Sequence, residues 1–165
     1  MQLQAVNVGT KHLGDYASIA ARGLMDEIRA LAEPFAGKRV LHLSATAFGG
    51  GVAEILYTLV PLMRDAGLDA EWQIIYGQDE FFDVTKAIHN GLQGAERTLS
   101  EAERTAYRET NEANAALLEE DYDTVFDHDP QPAGLPSLRG KGAARWVWRC
   151  HIDTAAPNPE TWEFI

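Results

Sequence analysis

At 165 residues the chain has room for one domain with a proper core and is too short for two of ordinary size. Its 14 Lys and Arg against 25 Asp and Glu leave a formal charge of -11, a field that repels phosphate backbones and anionic lipid and so excludes nucleic acid as an expected partner. The single cysteine, Cys150, cannot form an internal disulfide and reads as a buried, reduced thiol of a cytoplasmic protein. No Cys/His spacing points to a metal.

Met1 to Gly14 has weak periodicity and reads as an extended lead-in with no basic region followed by an apolar run, so no signal peptide is expected. No later stretch is apolar for long enough to span a bilayer, and no membrane association is expected either. Asp15 to Ala32 is helical in pattern, with Tyr16, Ile19, Ala20, Leu24, Ile28 and Leu31 spaced for one buried stripe, and Pro34 and Gly37 stop it. Val40, Leu41 and Leu43 then mark a first strand. Ser44 to Phe48 is a polar turn, Gly49, Gly50 and Gly51 a bare backbone, and a helix follows with Val52, Ile55, Leu56, Leu59 and Met63 on one face. Pro61 should kink that helix and Gly67 close it.

Trp72 to Tyr76 is a second strand candidate. Gln78 to Gly94 carries Phe81, Val84, Ile88 and Leu92 at helical spacing, with His89 and Asn90 near its end. Ser100 and Glu103 form a capping box that opens a helix reaching about Glu120, with a thin buried face of Ala106, Ala113 and Leu117. Thr124 to Phe126 makes a third strand, ended by the sequence DHDPQP at Asp127 to Pro132. Gly134, Pro136, Gly140 and Gly142 leave room only for a short helix. Arg145 to Ile152 is the fourth strand, rich in aromatic and β-branched residues that suit a central position. Asn158 and Pro159 look like the N-cap and first residue of a last helix, which Ile165 leaves too short to sustain itself in isolation. On that ground the sequence reads as part of something longer.

Strands separated by helices run parallel through right-handed crossovers, so the four strands should point their carboxyl ends to one edge, where ligands of such sheets bind. The segments just past those ends are Ser44 to Gly51, Gly77 to Glu80, His128 to Pro132 and His151 to Asn158. The glycines precede a helix N-terminus, whose unpaired N–H groups and dipole favour an anion. Neither familiar nucleotide fingerprint is present. No Lys-Ser or Lys-Thr follows the glycines, and the sixth position counted from Gly49 is Glu54, where a dinucleotide site wants Gly or Ala. Taken singly, each site residue has a plain alternative: the glycines as a tight turn, His128 and His151 as caps of strand ends, Asp129 as the residue before a proline turn.

Four stretches in this order, SATAFGGGVAEIL, EFFDVTKAIHNGLQG, DHDPQP and WRCHID, resemble the N-terminal half of the retaining GT-B glycosyltransferases of family GT4, within it the trehalose-forming branch. The likeness runs from about Asp15 to the last residue. It implies an α/β fold, a Rossmann-like three-layer sandwich with a mainly parallel sheet that forms one half of a GT-B fold. Residues 1–165 would be the acceptor-side domain, and the donor domain would lie outside this chain. By the resemblance, Gly49, Gly50 and Gly51 approach the donor diphosphate and the acceptor, His151 and Asp153 lie at the transferred sugar, and His128, Asp129 and Gln131 hold acceptor hydroxyls. His89 and Asn90 would line the same cleft. The substrates implied are a nucleoside-diphosphate glucose and a small sugar, glucose itself in the trehalose-forming case. No metal and no cofactor are implied, and a homodimer is a permitted assembly. Two readings from other classes compete: a free-standing module that holds a phosphorylated metabolite without turnover, and an interaction domain whose sheet flank meets another chain.

Overall fold

In the computed structural model, which describes residues 2–119, 121–139 and 142–165, five strands form one sheet. They are β1 (Gln4–Ala5), β2 (Arg39–Ser44), β3 (Asp69–Ile74), β4 (Thr124–His128) and β5 (Arg145–Arg149), in the spatial order β1-β3-β2-β4-β5. The four longer strands are parallel, and β1 adds an antiparallel edge next to β3. The helices are α1 (Leu24–Ala32), α2 (Gly51–Asp65), α3 (Asp79–Leu92), α4 (Glu101–Ala115), α5 (Leu135–Arg139) and α6 (Pro159–Phe164). This is the α/β sandwich of Rossmann type that the strand and helix order implies.

Two apolar clusters, one on each side of the sheet, hold the layers together. Ala53, Leu56 and Val60 of α2 pack with Val40, Ala70 and Trp72, while Phe81, Val84, Ile88 and Leu92 of α3 pack with Leu41, Leu43 and Val125. Alternate residues of β2 serve opposite sides, as a strand buried on both faces requires. The α3 face is the one its spacing predicts. On α2 the buried set is Ala53, Leu56, Val60 and Pro61, whereas Ile55 and Leu59 are 46% and 38% exposed. A run that is apolar nearly all round does not reveal which side meets the sheet. Pro61 lies inside α2, which continues through it to Asp65, and Gly67 closes the turn at φ +103°.

The expected long helix over Asp15 to Ala32 is two pieces. A 3-10 turn spans Leu13–Tyr16, and α1 starts only after Gly23, which sits at φ +84°. The expected stripe is not buried: Ile19, before α1, is 82% exposed, and Leu31, within it, is 67% exposed. Periodicity identifies an apolar face but not whether anything covers it.

Three other departures concern burial. On α4 the capping box is formed, with Ser100 N donating to Glu103 at 2.8 Å, but the buried residues are Tyr107, Asn111, Asn114 and Ala115. The helix ends at Ala115; Glu120 and Gly140 lie outside the described residues. β5 is an edge strand, not a central one, and its alternate residues are exposed. Trp146 and Trp148 cover its inner face, so the aromatic content marks one packed side of an edge. Cys150 is half-buried, and burial raises its thiol above the ordinary range.

The last helix is sustained by docking. Asn158 caps it by accepting from Glu160 and Thr161, Thr161 is buried against Gly91, and Phe164 meets Tyr107 at 5.4 Å between rings. Arg104 and Arg108 stack on the Phe164 ring. Gly91 is glycine because a Cβ there would lie 2.4 Å from Thr161 Oγ1.

Candidate functional site

At the carboxyl edge, the loop after β2 and the loop after β4 enclose a shallow cavity of about 180 Å³. Thr46, Gly49, Gly50, Gly51, His128, Asp129 and Gln131 line it, with the first residues of α2 at its floor. Three glycines in a row have different reasons to be there. Gly49 and Gly50 sit at φ +70° and +81°, where a side chain is strained. Gly51 has no such φ, and a Cβ on any of the three would meet nothing within 4 Å. Close packing within the domain therefore does not require them, and at Gly51 neither does the backbone. Gly50 is the N-cap of α2 and supplies no side-chain cap, so the helix N-terminus keeps its amides for a ligand.

The opposite wall is built by β4 and β5. Asp129 takes φ +65°, a left-handed conformation rare outside glycine. That turn is held on three sides: Asp129 N donates to the Arg149 carbonyl at 3.0 Å, Trp148 Nε1 donates to the Asp129 carbonyl at 2.9 Å, and the carboxylate accepts His151 N–H at 2.8 Å. Asp129 thus fixes the turn on which His151 sits. α4 holds the same loop from behind, through Tyr107 Oη to the Pro130 carbonyl at 2.8 Å and Asn111 Nδ2 to the Gln131 carbonyl at 3.2 Å.

The ring of His151 does not line the cavity but meets His128, which does. Its Nε2 is 2.8 Å from His128 Nδ1, and His128 Nε2 is 3.0 Å from Nδ1 of His42, a β2 residue buried under α2. Phe126 stacks on His42 with planes 10° apart. Burial lowers the His42 pKa to about 4 and lowers that of His128 as well, assisted by the neighbouring His42, so both rings are neutral at pH 7.

The structure thus brings together Gly49, Gly50, Gly51, His128, Asp129 and Gln131, with His151 joined to them through His128 and Asp129. The remaining candidates lie apart. Asp153 is exposed and its carboxylate accepts the Ala155 N–H at 2.9 Å in a local turn. His89 and Asn90 lie on the last turn of α3, beside the Gly91 carbonyl that accepts Asn158 N–H at 2.8 Å. Gly77, Gln78 and Glu80 line a different, larger cavity of about 390 Å³ between α3 and α4, where Asn114 clasps both backbone groups of Tyr76. That cavity offers Glu80 and Glu109 but none of the histidines. Tyr107, Asn111 and His42 went unnoticed in the sequence, and Met63 was read only as part of the apolar face of α2. For His42 a signal existed, an ionisable residue in the apolar strand Val40 to Leu43, and for the α4 residues none did.

Fold and rim together define a Rossmann-like domain whose carboxyl edge holds a small cavity, bounded by glycines on one side and by a histidine-bearing turn on the other. The chain belongs to the family described as trehalose synthase, N-terminal domain, whose model matches residues 42–165. It is 52% identical to a trehalose synthase of Rubrobacter xylanophilus over 168 residues, which takes in 99% of this chain and 40% of the relative. It is 48% identical to a trehalose synthase of Thermococcus litoralis over 157 residues (94% and 38%) and 43% identical to one of Pyrococcus horikoshii over 166 residues (99% and 40%). The chain therefore spans about 40% of the length of the curated relatives it matches. No helix among the described residues is long and apolar enough to cross a membrane.

Proposed function

We propose that this domain is the acceptor-side half of a retaining glycosyltransferase that moves glucose from a nucleoside-diphosphate glucose to a sugar acceptor, glucose in the simplest case, to give trehalose. The observation that carries the reading is the shared rim: the uncapped N-terminus of α2, freed by Gly49 to Gly51, faces the His128, Asp129 and Gln131 turn across one small cavity. Relatives named trehalose synthase support the chemistry.

The cavity itself argues for a second half. At about 180 Å³ it is smaller than the roughly 300–1,000 Å³ of a complete small-molecule site. No Lys or Arg is among the residues that line it, so the helix N-terminus alone would face a diphosphate. A donor domain that closes over the rim supplies the missing cations and excludes water. The isolated chain is accordingly inactive, and the work of this half is positioning and charge stabilisation. In the transfer itself the acceptor hydroxyl attacks the anomeric carbon on the face the diphosphate leaves, and the departing phosphate oxygen takes the hydroxyl proton, which accounts for retention. No metal and no organic cofactor enters this scheme, and the reduced thiol of Cys150 accords with a cytoplasmic location. Incubating the full-length protein with UDP-, ADP- or GDP-glucose and free glucose, then resolving the product by NMR, tests the reading. Trehalose with the donor's anomeric configuration supports it; donor hydrolysis alone, or no turnover with any of the three, refutes it.

A further inference from the structure

The imidazole chain does not end at His42. On its far side His42 Nε2 lies 3.3 Å from Met63 Sδ, near the end of α2. A thioether carries no hydrogen and can only accept. A neutral imidazole has one N–H and one bare nitrogen, and its partners decide which is which. His42 and His128 are 2% and 4% exposed and lowered in pKa by that burial, so each has a single ring proton to place.

The assignment then runs in one direction. His42 must carry its proton on Nε2, toward the sulfur, because a bare Nε2 there would be a buried acceptor facing sulfur lone pairs. Its Nδ1 is left bare and takes the proton of His128 Nε2 at 3.0 Å. His128 Nδ1 is bare in turn and takes the proton of His151 Nε2 at 2.8 Å. The rings are held for this, with planes 25° and 23° apart along the two steps. We propose that Met63 and His42, acting through His128, lock His151 in its Nε2–H tautomer and so present Nδ1 as a bare acceptor for a substrate hydroxyl. The site at His151 therefore selects an O–H donor, as a sugar supplies, over a phosphate oxygen, which has only lone pairs to offer.

Among the described residues Nδ1 of His151 has no protein partner, which leaves it for the ligand. The chain is not a proton wire, since its inner end is a sulfur that takes up no proton. Met63, His42 and His128 are positioning residues. The inference rests on the proposed reaction for the identity of the hydroxyl, but not for the tautomer.

The test is a long-range proton–nitrogen correlation spectrum of the protein with 15N-labelled histidine at pH 7.5, without substrate; the chain has only five histidines to assign. Expected are Nε2–H forms for His42, His128 and His151, with Nδ1 of His151 in the range of an unprotonated nitrogen. Met63→Leu keeps the volume and removes the acceptor, so the Nδ1–H form of His151 should rise from a few per cent to about half. An Nδ1–H tautomer at His151 in the unmodified protein, or a Met63→Leu spectrum unchanged from it, overturns the proposal. Because these readouts need no turnover, failure of glucosyl transfer would strike the proposed reaction and not the tautomer, and the reverse holds equally.

Discussion

The backbone N–H of His151 is tied at 2.8 Å to the carboxylate of Asp129, a residue that itself sits at φ +65°. Two turns from different strands are thereby locked to one another, and the ring of His151 is aimed by a bond made to its main chain.

Replacement of Asp129 separates the tether from the backbone strain. Asp129→Asn keeps an acceptor oxygen and tolerates the left-handed conformation, so transfer by the full-length protein should fall no more than severalfold. Asp129→Gly suits the φ but cuts the tether. Loss of a charge-assisted bond of about 1.5–3 kcal/mol should lower kcat by roughly 10- to 100-fold. Steady-state kinetics on both variants, with thermal unfolding as control, distinguish the two effects; equal activity in Asn and Gly forms would show the tether to be idle.

Gly51 gives the cleanest probe of ligand approach to α2. A side chain at Gly50 would be strained at φ +81°, so loss of activity there would be ambiguous, whereas Gly51 has open space and no such φ. Gly51→Val should leave Tm within a few degrees of the parent and reduce transfer by about 100-fold or more, as for any misplacement of the reacting groups. Unaltered turnover would mean that nothing comes close to this backbone.

Asp127 provides a pH test. It is fully buried on β4, neither carboxylate oxygen has a hydrogen-bond partner, and burial raises its pKa to about 7. A carboxyl with a raised folded pKa stabilises the fold fully below its unfolded value near 3.8, and the contribution is lost as pH rises through about 7. Asp127→Asn should remove that loss, gaining up to about 4 kcal/mol relative to the parent at pH 8 compared with pH 4 in urea unfolding. The buried imidazoles act in the opposite sense. Their lowered pKa values make stability fall as pH drops below 6.5, and for His42 the loss continues to about 4. The Asn variant should therefore show that acid-side decline uncovered, and a flat profile between pH 7 and 4 would contradict the neutral-histidine reading.

Docking of α6 can be tested by a double-mutant cycle. Gly91→Ala places a Cβ against Thr161, at 2.4 Å from Oγ1 and 3.0 Å from Cγ2, and should destabilise by about 1–3 kcal/mol as overpacking does. Thr161→Ala removes both of those atoms, so the pair should recover most of the loss. Additive penalties would show that the two residues do not touch.

The four parallel strands as segments, the glycine turn and the α3 face were legible in the sequence because each is a local pattern: a short apolar run, three glycines, Phe81-Val84-Ile88-Leu92 at helical spacing. What was not legible depends on partners far along the chain. The apolar stripe of α1 stays exposed, and β5 takes an edge despite its aromatic residues. The buried face of α4 is made of Tyr107, Asn111 and Asn114, which look polar in a helical wheel but satisfy carbonyls of Pro130, Gln131 and Tyr76. That His128, Asp129 and Gln131 share an edge with the glycine turn was legible because their loop follows a parallel strand. Asp153 and His89 do not line that cavity, because a residue's place in the chain order does not fix the direction of its side chain.

The central claim is that the N-terminus of α2 and the His151 turn serve one ligand. Backbone amide shift mapping of the chain, titrated with glucose and with a nucleoside-diphosphate glucose, tests it most directly. The account predicts that the amides of Gly50, Gly51, Asp129 and His151 shift together and saturate with a common Kd. Shifts confined to Gly77 and Asn114 around the α3–α4 cavity, or separate saturation of the two walls, would contradict it.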